Sequence, residues 1–423
     1  MPDGIIGKEE KKTRAALVSL VTRDTSEREA EISLCELERL CETAGAEVIF
    51  KMMQNKETPD PRTYIGKGKV EELSGLCREN DIDSVVFDCE LSPSQIRNLE
   101  DDIGGDAVVI DRSMLILDIF AIHAVTGEGK LQVELAQLKY TVPRLVGKGS
   151  ELSRLGGGVG TRGPGESKLE TDRRHVKRRM DALEAQIAEM AKNREIQRAQ
   201  RDRSGIFKFA VAGYTNAGKS TLLNRLTDAG ILSEDKLFAT LDPTTRKFTL
   251  PCGDDVLITD TVGFIRNLPH HLIKAFKSTF EEVCHADAVI IMADASDAEA
   301  DSQLAVTNRL MDELGAGEKP IIYVYNKCDR GIACHPVTPT EKSVYISALT
   351  GTGTEELVAK MEKIASEGKK LCVFDIPMDK LGVINSIYSN AAVQNVEYGE
   401  SFASVTAVAD GKARGMFEKY MRK

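Results

Sequence analysis

Gly213-Tyr214-Thr215-Asn216-Ala217-Gly218-Lys219-Ser220 is the stretch on which the reading of this chain turns. An apolar run, Phe207 to Ala212, leads into it, and Thr221-Leu222-Leu223-Asn224-Arg225-Leu226, a good helix sequence, follows. Strand, glycine-rich turn and helix thus stand in the order that a phosphate-binding loop requires. The glycines let the backbone curl with its N–H groups inward, and these donors join the positive end of the next helix in a cradle for polyphosphate. Lys219 supplies a charge for the β- and γ-phosphates. Ser220 offers a hydroxyl of the kind that Mg²⁺, a small hard cation, takes as a ligand. The plainer reading is an ordinary strand-to-helix turn, and the downstream motifs weigh against it.

The first of these follows Leu237-Phe238-Ala239-Thr240-Leu241-Asp242-Pro243-Thr244-Thr245, a polar segment. Two strands are expected next, Lys247 to Leu250 and Asp255 to Thr259, the second ending in Asp260-Thr261-Val262-Gly263. An aspartate closing a buried strand beside a phosphate loop can hold the Mg²⁺ shell through water, and the Gly263 N–H can bond a γ-phosphate. Thr240, Thr244 and Thr245 are equal candidates for a further metal ligand on the residues alone. Ala288 to Ala293 is another strand, and Pro320 to Tyr325 ends in Asn326-Lys327-Cys328-Asp329. The Asp329 carboxylate can accept from the ring N–H and amino group of guanine, whereas adenine presents an acceptor in place of the ring donor. A buried carboxylate left unpaired is costly, so such a site can reject adenine by orders of magnitude. Asn326 is expected to support the pocket and contact the base's other edge, and Lys327 to lay its stem along the ring. In Tyr345-Ile346-Ser347-Ala348-Leu349 the Ala348 N–H is placed to reach the guanine carbonyl.

Composition narrows the alternatives. A chain of 423 residues implies about three domains. Its 42% hydrophobic and 29% charged residues are those of a soluble globular protein. No apolar stretch is long enough for a bilayer, since Met114 to Val125 is broken by Asp118 and His123, and no signal segment opens the chain. Nine cysteines without a C-x-x-C pair argue for reduced thiols in a cytoplasm and against structural zinc or disulfides. His270 and His271 are chain neighbours and seldom share a metal. The net charge of −10 opposes nucleic-acid binding unless positive charge is concentrated somewhere.

From Arg14 to about Ala124 strands and helices alternate: Ala15 to Val21, Ser26 to Ala44, Ala46 to Met52, Lys69 to Asn80, Ser84 to Phe87, Ser92 to Ile103 and Ala107 to Ile110. Such alternation implies a parallel sheet covered by helices. Tyr64-Ile65-Gly66-Lys67-Gly68-Lys69 can touch phosphate, although a plain turn is the simpler account. Leu131, Leu135, Leu138, Val142 and Leu145, and then Val176, Met180, Leu183, Ile187 and Met190, repeat at helical spacing, with Pro143 ending the first helix near Thr141. Two such stripes predict antiparallel helices zipped along an apolar seam. Between them Gly156 to Glu166 holds six glycines and a proline in eleven residues, a loop at the hairpin's tip. Arg154, Arg162 and Lys168 edge it, and Arg173, Arg174, Lys177, Arg178 and Arg179 load the second helix. A charge run is usually a solvated face, diluted here by Glu170, Asp172 and Asp181. Even so, this local concentration of positive charge beside a glycine-rich tip suits RNA phosphates. After Gly368-Lys369-Lys370, a hinge, the tail is expected to run strand, helix, two strands, helix, with Asn395 to Glu400 as its turn region.

In these motifs the chain looks like a translation-factor-class GTPase, and with the upstream parts it closely resembles the HflX family. The resemblance rests on Tyr64 to Gly68, on Leu155 to Glu166 running into Ser167-Lys168-Leu169-Glu170-Thr171-Asp172-Arg173-Arg174, on Gly213 to Ser220, Phe238 to Thr244, Asp260 to Phe264 and Asn326 to Asp329. The fold expected is α/β: a parallel α/β domain (1–128), a helical hairpin with a glycine-rich tip (129–204), a P-loop GTPase domain (205–368) and a small α+β tail domain (369–423). The resemblance implies a cytoplasmic, monomeric GTPase with Mg²⁺ as cofactor and GTP as substrate. It would bind the large ribosomal subunit through hairpin and loop, and rescue or split stalled ribosomes under stress. Mg²⁺ ligation by Ser220 and Thr240 carries over from the family, and Lys219, Thr240 and Gly263 are the candidate catalytic residues. The nucleotide would be held by Gly213, Tyr214, Thr215, Asn216, Ala217, Gly218, Lys219, Ser220 and Thr221. Phe238, Ala239, Thr240, Leu241, Asp242, Asp260, Thr261, Val262, Gly263, Asn326, Lys327, Asp329, Ser347, Ala348 and Leu349 complete the set. Where many relatives carry a water-orienting glutamine this chain has Phe264, so slow hydrolysis by the free protein and stimulation by ribosomes are expected. Asn216 resembles a position that recruits potassium in some relatives. The rival reading is an RNA-contacting ribosome anti-association module in which nucleotide only regulates binding.

Overall fold

Apolar runs of four to seven residues, separated by helices with one buried face, set up two sheets of mainly parallel strands and a smaller antiparallel one. The structure is a computed structural model that describes residues 12–143, 168–203, 206–227, 237–238, 241–269, 272, 276–333, 340–367, 370–409 and 411–422. Ala239, Thr240, His270, His271, the loop from Leu155 to Glu166 and the Gly368-Lys369 hinge lie outside the described residues. The chain forms two compact units. The first comprises 1–190, 234–242 and 262–279, and the second 191–233, 243–261 and 280–423.

In the first unit β1 (Thr13–Val21), β2 (Ala46–Asn55), β3 (Ser84–Phe87) and β4 (Val108–Asp111) pair in parallel in the order β2-β1-β3-β4. Ala15 to Leu20 of β1 are buried without a break, as a central parallel strand covered on both faces requires. Helix α1 (Glu27–Thr43) starts at a capping box between Ser26 and Glu29 and buries Leu34, Leu37 and Cys41, the expected face. Helices α2 (Lys67–Glu79) and α3 (Pro93–Ile103) follow, α3 with a second capping box from Ser92 and Gln95.

Helix α4 (Arg112–His123) was not anticipated. Leu115, Ile116, Leu117, Ile119 and Phe120 are all buried, so apolar residues surround most of it and leave no stripe to read. Helix α5 (Gly127–Thr141) corrects the expected seam. Leu131, Leu135, Leu138 and Val142 are half-buried, while the fully buried face carries Gln132, Val133, Ala136 and Tyr140. The helix has two neighbours, and the polar residues on its inner face hide that face from a hydropathy pattern. Helix α6 (Lys168–Arg203) follows the expected stripe, with Leu183 fully buried and Val176, Met180, Ile187 and Met190 half-buried. Gly127 lies beside Met190, Glu134 pairs with Arg179 at 2.7 Å and Lys139 with Glu184 at 2.6 Å, so α5 and α6 run antiparallel.

In the second unit β5 (Phe207–Gly213), β6 (Thr244–Thr249), β7 (Asp255–Asp260), β8 (Ala288–Asp294), β9 (Ile321–Asn326) and β10 (Ser343–Tyr345) form a sheet in the order β10-β9-β8-β5-β7-β6. All pairs are parallel except β6 with β7. Strand β5 has β8 on one side and β7 on the other, so its carboxyl end is the point where the strand order reverses and ligands are received. Helix α7 (Lys219–Thr227) leaves that point, and α8 (Lys277–His285), α9 (Ala300–Glu313) and α10 (Thr354–Ser366) complete the set. The tail has β11 (Lys370–Pro377), α11 (Gly382–Asn390), β12 (Ala392–Tyr398), β13 (Phe402–Ala409) and α12 (Gly411–Met416), the element order expected. Its antiparallel sheet β11-β13-β12 has its own core around Phe374, Ile376, Val405 and Ile387. Strand β12 runs on to Tyr398, so the turn occupies only Gly399 to Ser401. No described helix is long and apolar enough to cross a membrane.

Candidate nucleotide-binding site

Strand β5 ends where its last residue must give way to its neighbour. Gly213 has φ +148°, and a Cβ there would stand 2.3 Å from the Met292 carbonyl oxygen, so only glycine fits. Asn216 takes the left-handed conformation at φ +61°, which asparagine tolerates, and the Ala217 N–H donates to the Tyr214 carbonyl to close the loop. Helix α7 begins at once with Lys219, so its N-terminal end faces the loop. The buried Lys219 ammonium donates to the Gly213 and Tyr214 carbonyls at 3.3 and 3.0 Å. Burial pulls it down to about 8, against the opposing pull of Asp260. The buried Thr215 hydroxyl makes no hydrogen bond within the described residues and is an unspent polar atom of the same loop.

Ser220 Oγ donates to Asp260 Oδ2 at 2.6 Å, Asp260 being wholly buried at the end of β7. The two expected oxygen groups are therefore already together, and a hydroxyl beside a carboxylate fits a Mg²⁺ shell. The Thr261 hydroxyl donates to the Val211 carbonyl at 2.8 Å and ties the end of β7 to β5.

The base side is braced by Asn326, the residue expected to support the pocket. Asn326 Nδ2 donates to the Ala217 carbonyl at 2.8 Å, and Asn326 Oδ1 accepts the Ala348 N–H at 2.9 Å. The amide thus joins the phosphate loop to the loop after β10, and the Ala348 N–H takes part in this brace. Ser347 is buried, and its hydroxyl accepts the Thr350 N–H at 3.1 Å to shape the same loop. Lys327, left-handed at φ +62°, stretches its ammonium to Asp294 at 2.8 Å. Burial pushes the Asp294 carboxyl up, but hydrogen bonds from Lys327 and Ser296 outweigh it and leave it below the usual range. Asp329 and Leu349 are exposed, so the desolvation that makes an unpaired carboxylate costly would arrive with the base itself.

Two bracing residues escaped the sequence reading. Asp294 closes β8 as Asp260 closes β7, a signal that was available. Arg225 Nη2 donates to the Thr350 carbonyl at 2.7 Å across 125 positions, which no local pattern announces.

The remaining candidates belong to the first unit. Phe238 is buried edge-on against Phe120, ring centroids 4.9 Å apart, and Leu241 is buried as well. The Asp242 carboxylate accepts from the Val125 N–H, the Thr126 N–H and the Thr126 hydroxyl. Val262, Gly263 and Phe264 are buried. Below this second segment the buried Arg112 pairs with Asp88 at 2.6 Å and with Glu36, and donates to the Arg266 carbonyl at 3.1 Å.

Comparison with known proteins agrees with this geometry. Residues 31–121 match the model of a GTP-binding GTPase N-terminal region, 123–201 that of a GTP-binding GTPase middle region, and 208–327 that of a 50S ribosome-binding GTPase. The chain is 49% identical to a GTPase HflX of Lacrimispora saccharolytica, covering 95% of both chains. It is 47% identical to that of Caldanaerobacter subterraneus, covering 94% of this chain and 91% of the relative. Among solved structures, a GTP-binding protein of Sulfolobus solfataricus in complex with GDP is 25% identical, with 84% of this chain and 99% of that chain covered and a TM-score of 0.45. With three family regions matched in order and near half of its residues shared with relatives along almost its whole length, the chain belongs to the HflX family of GTPases and binds and hydrolyses GTP.

Proposed function

We propose that the chain is a cytoplasmic, monomeric factor that acts on the large ribosomal subunit, rescues or splits stalled ribosomes under stress, and hydrolyses GTP slowly until the ribosome stimulates it. The observation that carries the kinetic part is Phe264. It is buried, and its ring has no polar atom to orient water where many relatives place glutamine. The ribosomal part is supported by Arg173, Arg174, Lys177 and Arg178, all exposed on α6 next to the glycine-rich segment in sequence.

In this reading the loop N–H groups from Gly213 to Thr221 and the Lys219 ammonium hold the β- and γ-phosphates. Asp329 and Lys327 select and cover the guanine, and Asn326 and Ser347 keep their loop in place. Ser220 and Thr240 would ligate Mg²⁺, with Asp260 in its outer shell. The ion, when bound, would neutralise charge on the β- and γ-phosphate oxygens. The Gly263 N–H would bond the γ-phosphate, so loss of that phosphate releases the segments around Thr240 and Gly263. The division into segments 1–128, 129–204, 205–368 and 369–423 assigns RNA contact to the second and chemistry to the third.

Turnover measured with and without isolated large subunits over a series of salt concentrations tests this. Stimulation of about tenfold or more that falls linearly on a log–log salt plot is expected. Equal turnover with and without subunits would remove the proposal. The rival reading, binding without a need for hydrolysis, predicts that full-length protein carrying a non-hydrolysable GTP analogue still splits ribosomes.

A further inference from the structure

Thr215 stands apart in the phosphate loop because its polar atom has nothing to bond. The residue is 6% exposed, and its Oγ1 makes no hydrogen bond within the described residues. Buried polar side chains around it are spent. The Lys219 ammonium goes to the Gly213 and Tyr214 carbonyls, the Asn326 amide to Ala217 and Ala348, and the Thr261 hydroxyl to the Val211 carbonyl. Packing does not explain the Thr215 hydroxyl, since valine has the same shape without an unmet polar group, and such a group in an interior is costly. The turn does not explain it either. A threonine in a turn ordinarily gives its hydroxyl to a neighbouring main-chain group. Here the turn closes without it, through the Ala217 N–H donating to the Tyr214 carbonyl at 3.2 Å and Asn216 in the left-handed conformation at φ +61°.

The same carbonyl tells which end of the loop Thr215 occupies. Tyr214 O also accepts the Lys219 ammonium at 3.0 Å, so Thr215 directly follows the residue that holds the lysine's charge. Two positions on, the Ala217 carbonyl takes Asn326 at 2.8 Å, and Asn326 opens the Asn326-Lys327-Cys328-Asp329 segment of the base side. The loop thus has a lysine end and a base end, and the orphan hydroxyl belongs to the lysine end. A lysine in this position serves the β- and γ-phosphates. Of the phosphates of a nucleoside triphosphate, the γ-phosphate is the farthest from the base.

We infer that Thr215 is a specificity-determining residue that tells GTP from GDP: its hydroxyl, unmet in the protein, donates to a γ-phosphate oxygen when GTP binds. The inference rests on GTP binding and adds to it a side chain that senses the third phosphate. A phosphate oxygen is a charged acceptor, and a hydrogen bond to it is about twice as strong as one between neutral groups. GDP brings no oxygen to that place and leaves the hydroxyl unmet, so the two nucleotides differ by the whole of this bond.

Thr215→Val and Thr215→Ser in the full-length chain test it, by calorimetric titration with GDP and with a non-hydrolysable GTP analogue plus Mg²⁺, and by thermal unfolding without nucleotide. Thr215→Val keeps the shape and drops the hydroxyl. It should bind the analogue about tenfold more weakly than the native chain does, and GDP within about twofold. Without nucleotide it should unfold at the native temperature or about 2 °C higher, because the unmet hydroxyl is gone. A hydroxyl of merely structural use would lower that temperature on removal. Thr215→Ser keeps the hydroxyl and should retain the native ratio of the two affinities within about threefold. Equal loss for GDP and the analogue in Thr215→Val, or no loss for either, overturns the assignment and leaves GTP binding standing. Lower stability of nucleotide-free Thr215→Val also overturns it, as does a Thr215→Ser variant that loses the ratio. A native chain that takes up neither nucleotide overturns GTP binding itself.

Discussion

The phosphate and base loops of the second unit and the two segments around Asp242 and Gly263 of the first are held by different means. The loops brace one another chiefly through main-chain partners: Asn326 joins Ala217 to Ala348, Thr261 joins β7 to β5 and Arg225 holds the Thr350 carbonyl, while Lys327 pairs with Asp294. In the segments, Arg112, set between Glu36 and Asp88, bonds the Arg266 carbonyl, the Asp242 carboxylate accepts the Val125 and Thr126 N–H groups, and Phe238 packs on Phe120. Removing a buried charge from a cluster strands its charged partners, whereas removing a neutral amide strands only the main-chain groups it joined.

The comparison predicts its largest effect at Arg112. Arg112→Met leaves two buried carboxylates without their cation and should cost the first unit about 3–5 kcal/mol in urea unfolding. Adding Glu36→Gln and Asp88→Asn should restore most of it, and a single variant as stable as the native chain would break the contrast. Asn326→Ala comes next. It strands the Ala217 carbonyl and the Ala348 N–H and should weaken GTP binding on the order of a hundredfold in calorimetry, without lowering the unfolding midpoint of the first unit. A loss of less than about fivefold would mean that the brace is not what shapes the pocket.

The smallest effect is a proton. Without phosphate, burial holds Lys219 at about 8. A triphosphate partner favours the charged form and raises it, so binding takes protons up in the window above that value. Above that value GTP should draw in a fraction of a proton that grows with pH, read from the dependence of binding enthalpy on buffer ionisation. No uptake, or release, would show that Lys219 is already charged before nucleotide arrives.

Much of this was legible beforehand. The phosphate loop, Asp260 and Asn326 to Asp329 are local signals, because each needs a strand, a tight turn and one or two residue types in fixed order. The parallel first sheet and the stripe of α6 were legible for the same reason, a period repeated over neighbouring residues. Helix α4 was not, because burial on most of its faces erases the period. The inner face of α5 was not, because Gln132 and Tyr140 are polar in name and buried in fact. The bonds of Asn326 to Ala217 and Ala348 were not, because each is defined by a partner across the fold.

What the sequence by itself determined is the GTPase family and the local order of strand, turn and residue type at the phosphate loop and at the ends of β7 and β9, since those demands fall on residue types at short spacing. What only the tertiary structure decided is where the polar groups around those positions are spent. Asp242 and Arg225 find their partners 116 and 125 positions away, and such hydrogen bonds depend on how helices and strands close upon one another in space, which no stretch of chain encodes alone.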